Sequence, residues 1–144
     1  MIEQDTIKLL RECDAGIKMG VKSIEDVWEH AESQELKTHL DRCKNEHIAL
    51  HKELETMLER YGDEGKNPNP IATGMSWIKT NVKLGLDGSD KVIADLITDG
   101  CNMGVKSLSR YVNQYKAADE ASKDIANRLI RLELLLGEQV RGYL

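Results

Sequence analysis

An eight-residue phrase occurs twice in this chain: Gly16-Ile17-Lys18-Met19-Gly20-Val21-Lys22-Ser23 returns as Gly100-Cys101-Asn102-Met103-Gly104-Val105-Lys106-Ser107. Six of the eight positions are identical at an offset of 84. A phrase repeated with its spacing intact points to one structural unit used twice. The surroundings say what that unit is. Leu10, Cys13, Ile17, Gly20, Ile24, Val27 and Ala31 follow one another at steps of three and four. Around the second copy, Ala94, Ile97, Cys101, Gly104, Leu108, Tyr111 and Tyr115 do the same. That is the seam of a helix packed in a bundle.

Each seam is followed by a turn and a second apolar stripe. After the turn Glu32-Ser33-Gln34, with Ser33 placed to cap a helix, come Leu36, Leu40, Cys43, His47, Leu50, Leu54, Met57 and Tyr61. Gly62 is placed to end that helix. After Lys116-Ala117-Ala118-Asp119 come Ile125, Leu129, Leu132, Leu136 and Tyr143. Turns this short make the joined helices antiparallel neighbours. The expectation is a single all-α domain over 1–144: a hairpin at 5–61, a crossover at 62–90 and a hairpin at 91–144. Within the crossover, Ile71, Met75, Ile78, Val82 and Leu86 mark an additional helix, and Ser89 or Asp90 caps the helix that follows. A crossover helix running back along the bundle makes the third helix parallel to the second and antiparallel to the first.

Composition narrows the function classes. The chain has 144 residues, net charge −5, no phenylalanine and two prolines, which suits helices over sheets. No basic block points to nucleic acid, and no stretch reaches the roughly 20 apolar residues of a membrane span. The acidic start, Met1-Ile2-Glu3-Gln4-Asp5, has no signal-peptide pattern, so the expected location is the cytoplasm. Cys13, Cys43 and Cys101 lack zinc-type spacing. Cys13 corresponds to Ile97 in the repeat and Cys101 to Ile17, so cysteine trades with isoleucine and reads as a small core hydrophobe.

On the duplicated hairpin, the crossover with its Trp77-Ile78-Lys79 and the Gly16/Gly20 pattern, the chain resembles the ferritin-like superfamily. Within it, the resemblance is to an uncharacterised bacterial branch of rubrerythrin-like four-helix bundles. The resemblance covers nearly the whole chain and implies a ferritin-like bundle of two duplicated hairpins with a crossover helix. It also implies a di-iron carboxylate site, built from a carboxylate on each of two helices and Glu-x-x-His on the other two. Residue by residue, that site does not carry over. Lys44 stands three before His47, Leu129 and Leu132 occupy the equivalent places in the last helix, and glycines stand at that level in the other two.

What remains is sparse. His47 and His51, four apart on one helical face with Cys43 a turn earlier, could hold a single metal ion; the other reading is a hydrogen-bonded core histidine beside a packed cysteine. The acidic residues, Glu12 and Asp14 among them, read as a solvated surface. No Ser-His-Asp arrangement, phosphate loop or dinucleotide fingerprint is present, so no residue is assigned catalysis and no cofactor is expected. The four repeated glycines each cost about 1 kcal/mol relative to alanine in a helix. They imply close approach of the first and third helices or, alternatively, a pocket lined by Met19 and Met103. The leading expectation is a non-catalytic interaction or self-association module, a dimer or other homo-oligomer, or one bound to a protein partner. A degenerate metal-binding or iron-linked oxidoreductase-type protein is the alternative, and a small-ligand-binding bundle the second alternative.

Overall fold

The computed structural model describes residues 2–68 and 89–144. Four helices carry the fold: α1 (Ile2–Trp28), α2 (Gln34–Glu59), α3 (Ser89–Gln114) and α4 (Glu120–Val140), the last ending in a 3-10 turn at Arg141–Tyr143. There is no strand among the described residues. The expected crossover helix, with Trp77, lies outside them.

Local chemistry sets the helix ends. The Ser33 hydroxyl accepts from the Leu36 amide at 3.2 Å and starts α2. Asp119 does the same for α4, its carboxylate accepting from the Ser122 amide at 2.8 Å. Gly62 takes a φ of 65°, a left-handed conformation that is cheap without a Cβ. It closes α2 with bonds from the Gly62 amide to the Glu59 carbonyl (3.0 Å) and from the Asp63 amide to the Leu58 carbonyl (3.1 Å), the Schellman pattern. Two boundaries differ from expectation. The first helix stops at Trp28, three residues before Ala31, because the chain there tightens into i→i+3 bonds from His30 to Val27 and Ala31 to Trp28. Ser89 and Asp90 lie inside α3 rather than capping it, and the Asp90 carboxylate instead accepts from the Glu32 and Ser33 amides (2.7 and 3.0 Å).

These polar ties also fix helix direction. Asp90 joins the start of α3 to the α1–α2 turn. At the other end of the bundle, Asp5 accepts from the Ala117 amide (3.0 Å) and Thr6 from the Asp119 amide (2.9 Å). So α1 runs antiparallel to α3, α2 runs parallel to α3, and α4 runs parallel to α1.

The apolar stripes close the bundle in two blocks. One holds Ile24, Val27, Leu36, Leu40, Cys43, Ile97, Cys101 and Leu136 with their neighbours. The other holds Leu10, Cys13, Ile17, Leu50, Leu54, Leu108, Ile125 and Leu129 with theirs. Each fully buried leucine or isoleucine contributes about 1.5–3 kcal/mol. The three cysteines are free and buried. Burial, with Glu12 and Asp14 nearby, pushes the Cys13 thiol up to about 12, so Cys13 is a protonated packing residue at neutral pH.

Candidate functional site: a polar waist beside a cleft

Between the two apolar blocks each helix contributes one residue: Gly20 from α1, His47 from α2, Gly104 from α3 and Glu133 from α4. His47 is 1% exposed. Its Nδ1 lies 2.7 Å from the Cys43 carbonyl oxygen. A carbonyl can only accept, so Nδ1 carries a proton. Its Nε2 lies 3.0 Å from Glu133 Oε1. Burial works to lower the His47 pKa, but the hydrogen bonds at Cys43 and Glu133, with the charge of Glu133, outweigh it and raise it to about 10. At neutral pH the waist is therefore an imidazolium–carboxylate pair, with both ring N–H groups donated.

The glycines exist for this pair. A Cβ on Gly20 would stand 2.9 Å from His47 Nε2, and one on Gly104 would stand 3.4 Å from Glu133 Oε2. Each missing methyl is space for a polar side chain from another helix. The expectation of close backbone approach between the first and third helices is thereby corrected: a Cβ on Gly16 would meet only the side chains of Leu129 and Leu108, and one on Gly100 would meet no described residue within 4 Å. Between α1 and α3 lies a cleft of about 500 Å³. Among the described residues its walls include Met19, Ile24, Ile97, Met103 and Leu108 with all four repeated glycines, and His47, Cys101 and Glu133 also border it. Burial and the neighbouring Glu133 carboxylate push the Cys101 thiol well above the usual thiol range. It adds a weak polar group and no nucleophile.

The chain has no counterpart among protein-family models, curated proteins or solved structures.

The three sequence-predicted metal ligands are placed as follows. Cys43 Sγ lies 3.5 Å from His47 Nδ1, but that nitrogen is already committed to a carbonyl. His51 turns to different partners, with Nε2 at 2.7 Å from Asp14 and Nδ1 at 3.3 Å from Glu55. Among the described residues no group of three or more His, Cys, Asp or Glu side chains is arranged to hold a metal ion. The di-iron set that the resemblance implies does not fit either, since Lys44, Leu129 and Leu132 occupy its places.

Two acids were missed. Asp14, read as solvated, is 2% exposed. It takes bonds from His51, from Lys18 Nζ (2.8 Å) and from the Lys66 amide (2.9 Å). Glu133, one position after the expected stripe residue Leu132, turns inward to His47. A signal existed for both: Asp14 follows Leu10 by four and precedes Ile17 by three, and Glu133 stands in the same relation to Leu129 and Leu136.

Proposed function

We propose that this protein is a ferritin-like bundle of two duplicated hairpins that has become a binder of a small, mainly apolar molecule. The repeated phrase and the helix directions support the ferritin-like part. One observation carries the binding part: the glycine-lined cleft of about 500 Å³ bordered by a buried imidazole–carboxylate pair. Small-molecule sites are usually clefts of roughly 300–1,000 Å³, apolar in the main, with a few fixed polar groups. N-phenyl-1-naphthylamine, a neutral dye that brightens in apolar surroundings, tests this directly. Wild-type protein should enhance its emission saturably. Gly100→Trp, whose Cβ meets no described residue within 4 Å, should remove the enhancement while the melting temperature holds or rises. Equal binding by both proteins would overturn the reading. Absence of binding in the wild type would assign the cleft to another part of the chain or to a partner.

Self-association is the second reading. It is supported by adjacent leucines on α4, Leu134 at 55% and Leu135 at 42% exposed. Light scattering of wild type and of Leu134→Glu/Leu135→Glu tests it: a dimer that dissociates on substitution supports it, and a monomer in both rejects it.

A further inference from the structure

The cleft carries more information than its size. Among the described residues its acidic and basic lining side chains are Glu12, Asp99 and Glu133 against Lys66 and His47. Lys66 is bound to Glu12, with Nζ at 2.6 Å from Oε1, and His47 is bound to Glu133. Both cations are thus spent on carboxylates of the same cleft. With His47 charged, the described part of the lining keeps a net negative charge. Glu133 gives Oε1 to His47, while Oε2 stands on the side of Gly104, at the cleft. An ionised carboxylate is acceptor-only. The cleft therefore has an acceptor at its inner end and, among the described residues, no uncommitted cation for an anion.

We infer that the ligand is an apolar, ring-sized molecule that is neutral or cationic and presents an O–H or N–H to Glu133, and that carboxylates are excluded. The inference rests on the cleft being a binding site. It deepens that reading by naming the chemistry selected. Ser23, Ser107 and Tyr111 also line the cleft, but none is positioned with His47 and Glu133 at the waist.

Three probes of one shape separate the possibilities by calorimetric titration: 2-naphthol, 2-methoxynaphthalene and 2-naphthoate. The naphthol should bind at least about tenfold more tightly than the methyl ether, the factor expected for a hydrogen bond to a charged group. The naphthoate should bind more weakly than either. Glu133→Gln should shrink the naphthol preference over the ether to about threefold or less; circular dichroism would confirm that the variant is folded. Equal affinity for naphthol and ether, or tight binding of naphthoate, would overturn the donor rule while leaving the cleft as a site. Failure of all three probes alongside binding of N-phenyl-1-naphthylamine would also overturn this inference alone. Failure of the dye as well would remove the binding reading beneath it.

Discussion

At the scale of single residues, the four repeated glycines are no longer equivalent. All four would gain about 0.8–1 kcal/mol of helix propensity as alanine, and what the new methyl meets decides the sign. Gly100→Ala meets no described residue within 4 Å and should stabilise by up to about 1 kcal/mol. Gly104→Ala comes to 3.4 Å from the end of a flexible glutamate and should be close to neutral. Gly20→Ala comes to 2.9 Å from an imidazole pinned at both nitrogens, which cannot swing away, and should cost about 1–3 kcal/mol. Urea melts of the three variants check the ranking. His47 makes a second prediction. Its pKa is raised to about 10 in the folded protein from the ordinary 6.5 of a free imidazole, so the folded state holds a proton that the unfolded chain releases. The stabilisation is complete below about pH 6.5 and is lost as pH rises toward 10, at up to about 1.4 kcal/mol per pH unit. Unfolding free energies measured from pH 6 to 10 should fall along that slope in wild type and lose that component in His47→Leu.

At the scale of elements, Asp14 acts as a latch. It draws the stretch after α2 onto α1 through the Lys66 amide, and Lys66 Nζ reinforces the tie on Glu12. Gly65, with φ 86°, lies so close to Asp14 that a Cβ there would collide with the carboxylate. Asp14→Ala should leave three donors without their acceptor and destabilise by a few kcal/mol, about 1–3 for each bond to the charged group. It should also speed tryptic cleavage after Lys66 under conditions where circular dichroism shows the helices intact. Unchanged cleavage would mean that the latch does not hold this stretch. The helices and their buried columns were legible because periodicity is local: Leu10, Cys13, Ile17, Ile24 and Val27 announce themselves. Asp14 and Glu133 were not, because a helix buries a face about two columns wide and either column satisfies the same period. Which acid turns inward depends on a partner on another helix, here His51 and His47, and that register is tertiary. The glycines were legible as a geometric demand, but not as space for an imidazole.

At the scale of the whole molecule, the waist interrupts a core that could have been continuous. Desolvating an ion pair is costly, and similar apolar replacements are often neutral or stabilising by about 1–4 kcal/mol, whereas removing one partner costs about 3–5. His47→Leu alone should therefore be strongly destabilising. His47→Leu/Glu133→Leu should recover most of the loss or exceed wild type, and denaturant melts of the two singles and the double complete the cycle. The double variant should at the same time lose the naphthol preference, separating what holds the bundle together from what selects a ligand.

The waist has one more consequence, for which halves of this chain can recognise one another. The first hairpin brings an imidazole to the middle of the interface and the second brings a carboxylate. Two first hairpins facing each other would set cation against cation, and two second hairpins anion against anion. Only the unlike pairing is complementary. Two halves with the same glycine phrase are thus told apart at their buried middle by charge, in addition to the ties of Asp5, Thr6 and Asp90 that join unlike halves at the ends.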